Sequence, residues 1–356
     1  MGASHAPTTR RFRNAERQER DAMKLLAIHG AEDIRWEDRP TPEPGEGEVR
    51  LRVRYVGICG SDLHYFFHGK NGEYAVREPL TPGHELSAEV DLDPSGRLAP
   101  GTPVTVHPAR FGPSVPGLED RSHLRAGGDY LGSAAGFPHR QGGAAELLIV
   151  EEHMIRVLPA GLSLERAALA EPLAVAIHAA GLAGDLTGMR ALVIGAGPIG
   201  LLVVAAAVNA GAAVVGASDV RPEPLNRARA LGATETFLVG TDAIDPESFD
   251  VVFECSGVGV ALTQAVRAAR RAGTVVQVGM LPDAEIGVNL APMLAKELTL
   301  RGAFRFSTEI DDAIALLAST DALDTVVSHV IPAADAVSAF ATARDSSASA
   351  KVLLSL

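Results

Sequence analysis

The chain has 356 residues, 47% of them apolar and 21% charged, which is too long for one ordinary core and too apolar for a disordered chain. Roughly 150 residues per domain predicts two domains. A formal net charge of -12 argues against nucleic acid and against an anionic membrane surface, both of which need clustered cations. Two cysteines, Cys59 and Cys255, exclude a disulfide framework and suit a reducing cytoplasm, the expected location.

In residues 1–22, Arg10, Arg11, Arg13, Arg17 and Arg20 alternate with Glu16, Glu19 and Asp21. No apolar run follows, so the segment is no secretory signal. It reads as a disordered extension, or as sequence ahead of a start at Met23. From there, short runs separated by turn signals predict strands at Lys24–His29, Ile34–Asp38 and Glu48–Gly57. Further strands are expected at Ser87–Leu92, Pro103–His107 and Ala145–Val150. Residues 108–143 are loop-like and rich in Gly and Pro. The first part therefore reads as an irregular β-rich domain.

The character changes at Glu171-Pro172. A helix is expected at Leu173–Ala183, with Pro172 ahead of it and Gly184 as its stop. Strands at Ala191–Ile194, Val214–Ser218, Val251–Glu254 and Thr274–Val278 then alternate with helices at Ile199–Ala210, Pro224–Leu231 and Ala261–Arg270. That alternation predicts a parallel sheet covered on both faces. Ala191 to Ala217 carries no charged side chain and is long enough to span a bilayer. Its internal Gly and Pro residues divide it into strand, turn, helix, turn and strand, so a buried βαβ unit is expected. Near the end, helices are expected close to Ile310–Ala318 and Ala333–Ala343, then a strand at Lys351–Leu356.

Gly195-Ala196-Gly197-Pro198-Ile199-Gly200 follows an apolar strand and opens an apolar helix. Gly195 allows a tight turn, Gly197 lets backbone approach a pyrophosphate, and Gly200 allows close helix packing. The helix N-terminus offers N–H groups and partial positive charge to phosphates. Asp219 ends the next strand, where a carboxylate meets an adenosine ribose and disfavours a 2′-phosphate. Arg221 could still meet that phosphate. NAD is therefore expected, with NADP as the alternative.

Cys59-Gly60-Ser61-Asp62-Leu63-His64, Gly83-His84-Glu85 and Ala170-Glu171-Pro172 supply thiolate, imidazole and carboxylate, a donor set that suits Zn²⁺. Three protein ligands would leave one position for water or substrate, as catalytic sites do. Ser61-Asp62 also fits a helix N-cap.

Together with Gly302-Ala303-Phe304-Arg305-Phe306, these motifs occur in an order that resembles the zinc-dependent medium-chain dehydrogenase/reductases, in the sorbitol (polyol) branch. The likeness spans about residues 24–356. Phe137-Pro138-His139 with Gly142-Gly143, and the Phe304 segment, look most like the branch's L-idonate 5-dehydrogenases. The resemblance implies an α/β protein: a GroES-like β-rich catalytic domain (23–174 and 311–356) plus a Rossmann doubly wound parallel-sheet domain (175–310). It implies one catalytic zinc held by Cys59 and His84 with Glu85 and Glu171, directly or through water. A thiolate and one carboxylate already offset the ion's charge, so one glutamate should stand back from the metal. Ser61 matches the proton-relay hydroxyl, and His64 lies where a relay through the cofactor ribose could reach solvent. Glu85 joins them among the catalytic groups. Tyr65, Glu171, Arg305 and Phe306 match the substrate pocket, Phe306 standing where polyol dehydrogenases commonly have tyrosine. Val278, Gly279 and Phe304 match the cofactor site.

The resemblance fails at one place. Many relatives hold a structural zinc with four cysteines, and in that register this chain has Gly112, Val115, Leu118 and Ala126. No structural zinc is expected, although His107 and His123 lie nearby. The implied reaction oxidises a secondary alcohol of a small-molecule sugar acid in a homodimer or homotetramer. The alternatives are a neutral polyol such as sorbitol or xylitol, a zinc-free quinone reductase, and a non-catalytic NAD(P)-binding protein.

Overall fold

Val49, Leu51 and Val53 are buried along Glu48–Gly57, while Arg50, Arg52 and Arg54 point away from the core. In the computed structural model, which describes residues 22–356, this alternation places the strand inside a seven-stranded sheet. The order is Ile155–Val157, Pro103–Val106, Glu85–Leu92, Glu48–Gly57, Lys351–Ser355, Val327–Pro332, and Leu147–Glu151 also pairs with Glu48–Gly57. The outward arginines make ladder contacts, Arg50 and Arg52 to Asp91 and Arg54 to Glu89. Such partly exposed pairs contribute about 0.2–1 kcal/mol each. A buried Val or Leu contributes about 1.5–3 kcal/mol, so the apolar face decides which way the sheet turns. A hairpin of Ala22–Gly30 and Asp33–Pro40 lies alongside. The extension expected over residues 1–22 lies outside the described residues, apart from Ala22, which opens that hairpin.

The second sheet is six-stranded and parallel, ordered Glu235–Leu238, Val214–Asp219, Arg190–Ile194, Phe249–Glu254, Ala269–Gln277, Thr299–Gly302. Chain order reverses between Arg190–Ile194 and Phe249–Glu254, the crevice where such sheets bind dinucleotides. Ala191 and Val193 pack on one face with Leu201 and Val204; Leu192 and Ile194 pack on the other with Leu262 and Val266. The charge-free stretch is this buried βαβ unit. No helix among the described residues is long and apolar enough to cross a membrane.

Several elements differ from expectation. The edge strands Glu235–Leu238 and Thr299–Gly302 and the helix Ala291–Lys296 were not foreseen. Gly60–His68 is a helix within the β-rich part, ending at Gly69 with φ 68°. Its N-cap is Cys59, with Ser61 inside the first turn, which corrects the expected cap. Ile310, Ile314, Leu317, Leu323 and Val326 pack in the second core. By packing, that core runs to Val326, past the expected return at 311, and Val327–Pro332 and Lys351–Ser355 are the strands that rejoin the first sheet.

Candidate active site

Two neighbouring strands bring the donors together. Glu48–Gly57 runs into Cys59, and Glu85–Leu92 begins at its glutamate, with Gly57 paired to Glu85. A Cβ on Gly57 would lie 2.1 Å from Glu85 Oε2, so only glycine leaves the carboxylate its place. Asp62 fastens the two segments: Oδ2 accepts from Cys59 N–H at 3.0 Å and Oδ1 from Gly83 N–H at 3.2 Å. The ligand atoms of Cys59, His84 and Glu85 lie within 4.8 Å of one another. His84 Nδ1 is buried with no hydrogen-bond partner among the described residues, and Glu85 Oε2 lies 2.7 Å from the Lys351 ammonium. Unpaired buried donors and acceptors cost about 1–3 kcal/mol each. A thiolate, an imidazole and a carboxylate converging in one buried place fit a zinc ion.

Glu171 is held differently. It lies in the first turn of Ala170–Leu182, and its Oε1 accepts the Tyr130 hydroxyl at 2.6 Å. Burial raises its pKa; His84 opposes that, and Glu85 adds to it. Burial would lower the His84 pKa, but Cys59, Glu171 and Asp62 raise it to about 10. The site is thus a pocket of negative potential that favours a cation.

A cleft of about 380 Å³ joins this cluster to the second sheet; Cys59, His84 and Glu171 line one side and Ile199, Val278 and Gly279 the other. Ser61, His64, Tyr65, Phe304 and Arg305 line it too. His64 is exposed, whereas Tyr65 is buried and its hydroxyl accepts from Ala134 N–H at 3.1 Å. Arg305 stacks 4.1 Å over the Tyr130 ring and 4.8 Å over Phe304. Phe306 does not reach the cleft. It is 1% exposed, with its ring 4.6 Å from His107. The expected place in the substrate pocket is corrected, because successive side chains here diverge and the apolar one enters the core.

The fingerprint turn behaves as its glycines require. Gly195 has φ 89°, Gly197 caps the helix and Pro198 opens it. A Cβ on Gly200 would lie 1.8 Å from Gly195 O. Asp219 ends its strand, Oδ2 accepting from Ala196 N–H at 2.8 Å and Oδ1 from Arg221 N–H at 3.0 Å. The carboxylate therefore braces the glycine-rich turn from the end of the next strand.

Three contributors were not singled out from the sequence: Tyr130, Lys351 and the bracing role of Asp62. The one visible signal was a lysine opening an otherwise apolar terminal strand. His139 is occupied with loop structure: Nε2 accepts from Arg77 N–H at 2.9 Å and Nδ1 lies 2.8 Å from Gly136 O. His107 Nε2 is 2.9 Å from Ser307 O and Nδ1 accepts from Ala109 N–H at 3.2 Å. The loop in the four-cysteine register is held instead by Arg125, which donates to Leu118 O and Glu119 O.

Residues 45–160 match the alcohol dehydrogenase GroES-like domain and residues 198–319 the zinc-binding dehydrogenase domain. The sorbitol dehydrogenase of Gallus gallus is 35% identical over 335 residues, covering 90% of this chain and 92% of that protein. The L-idonate 5-dehydrogenase (NAD(P)(+)) of Escherichia coli strain K12 is 36% identical over 275 residues, 76% of this chain and 80% of that protein. A crystal structure of L-idonate 5-dehydrogenase from Escherichia coli K-12 superimposes with a TM-score of 0.88 at 31% identity, covering 94% of this chain and 98% of that one.

Proposed function

The chain belongs to the zinc-binding dehydrogenase family, among its polyol and sugar-acid enzymes, and from that premise we propose that it oxidises a secondary alcohol of a sugar acid, L-idonate to 5-keto-D-gluconate. Arg305 carries this reading. Its guanidinium pairs with no carboxylate among the described residues, is fixed by two aromatic faces, and lines the cleft that holds Cys59 and Glu171. A planar fork of donors suits a substrate carboxylate.

Cys59, His84 and Glu85 would hold zinc, which would supply Lewis acidity toward the alcohol oxygen, and the cleft beside Ile199, Val278 and Gly279 would hold NAD(P), which would supply the hydride acceptor. The chain's own residues do the rest. Ser61 accepts the alcohol proton while releasing its own toward His64, one turn along the same helix and exposed, which passes it to water. Glu171, bonded to Tyr130, stands back from the metal. Asp219 supports NAD over NADP. Exposed Leu294 on helix Ala291–Lys296 and Leu300 on the edge strand Thr299–Gly302 support a homodimer or homotetramer.

The test compares kcat/KM on L-idonate and sorbitol with each cofactor, in the parent and in Arg305→Ala. The expected outcome is a preference for idonate that falls about 10- to 100-fold in Arg305→Ala, the worth of a charged hydrogen bond of about 1.5–3 kcal/mol. Sorbitol turnover should change little. A parent that prefers sorbitol makes the neutral polyol the substrate.

A further inference from the structure

We propose that Lys351 is a positioning residue for the metal, clamping Glu85 and the segment before Cys59 into one ligand geometry. Lys351 is 3% exposed and Glu85 1% exposed. Its Nζ donates to Glu85 Oε1 at 2.7 Å and to the Ile58 carbonyl at 3.3 Å. It also lies 2.7 Å from Glu85 Oε2. The ammonium thus sits against both carboxylate oxygens and fixes the direction of the group.

The backbone makes the clamp stiff. Ile58 N–H donates to Val352 O at 3.0 Å, and Leu353 pairs with Gly57. The lysine therefore stands on a strand zipped to the segment that delivers Cys59. Together with Asp62, which bonds Cys59 N–H and Gly83 N–H, it ties both ligand-bearing segments from opposite sides.

Charge gives a second reason. A thiolate and two carboxylates carry one negative charge more than a divalent cation offsets. The buried ammonium supplies the missing positive charge in a low-dielectric site.

The partner of a ligand commonly changes metal affinity about 10- to 100-fold. Lys351→Met should release zinc to excess chelator faster by that factor while remaining folded by circular dichroism. Its cobalt(II)-loaded form should show altered d–d bands, because the carboxylate has lost its fixed direction, with the Cys59 charge-transfer band retained. Lys351→Arg, which keeps the charge, should recover most of both. Should Lys351→Met fail to fold, Lys351→Gln keeps an N–H toward Glu85 and Ile58 and carries the same expectation at reduced size. A folded Met or Gln variant with parental zinc release and parental cobalt bands overturns the proposal. Neither readout needs a substrate, so the result stands apart from the sugar-acid reading.

Discussion

Tyr130 shows how much a single hydroxyl can decide. Its O–H lies 2.6 Å from Glu171 Oε1, and on the proposed function it keeps that buried carboxylate from binding the metal. A second directly bound carboxylate would make the centre anionic and a poorer Lewis acid. Tyr130→Phe should therefore keep stoichiometric zinc but lower kcat/KM by about 10- to 100-fold. Metal analysis together with steady-state kinetics checks both parts, and unchanged turnover would leave Tyr130 with packing alone. That Cys59, His84 and Glu85 come together was legible in the sequence because each sits in a short motif of potential metal donors. Tyr130 was not, because it lies in a Gly-rich loop and meets Glu171 only through tertiary folding. Phe306 was misread for the opposite reason: adjacency to Arg305 in sequence says nothing about which side chain turns inward.

Elements were legible where apolar periodicity was long. Arg190–Ile194 is almost fully buried and Pro198–Asn209 is buried from Gly200 to Ala207, and both read clearly. The edge strands Glu235–Leu238 and Thr299–Gly302 are half-buried or exposed, so no alternation marked them. Helix Ile310–Ser319 joins the site through Glu309 at its N-terminus. Glu309 accepts from His178 Nδ1 at 2.6 Å and from the N–H groups of Ser307 and Thr308 at 2.7 and 2.8 Å. His178 lies on Ala170–Leu182, the helix that carries Glu171. Burial opposes the Glu309 carboxylate, but these donors lower its pKa from 4.5 to about 2. A depressed carboxylate pKa adds stability above the unfolded value and loses it as pH falls through the folded one. The contribution is therefore complete above pH 4.5 and disappears between pH 4.5 and about 2. Chemical denaturation in that window should show parental stability falling more steeply than that of Glu309→Gln. Parallel curves would remove the helix-to-helix tie.

At the scale of the molecule, the cleft exists because the chain leaves the first sheet, builds the second, and comes back. Two domains and their order could be read from composition and motif. The return point could not, since Ile310–Ser319 is apolar enough for either core and only packing assigns it. The last strand completes the first sheet between Glu48–Gly57 and Val327–Pro332. Val352, Leu353 and Leu354 are each at most 1% exposed, and each contributes about 1.5–3 kcal/mol against a typical total of about 5–15 kcal/mol. Removing the metal and removing this strand should thus differ in kind. The pairing that presents Cys59, His84 and Glu85 is made by backbone hydrogen bonds and apolar burial. Chelation of the full chain should therefore abolish turnover, leave the far-ultraviolet spectrum intact, and lower Tm only by the lost binding energy. A chain ending at Ala350 should bind no zinc under any loading condition, because Lys351 and the strand that seats Ile58 are gone. Its parallel sheet has a separate core and should still bind the dinucleotide, which fluorescence of the reduced cofactor would report. Stoichiometric zinc in the truncated chain would show that the first sheet presents its ligands without its final strand.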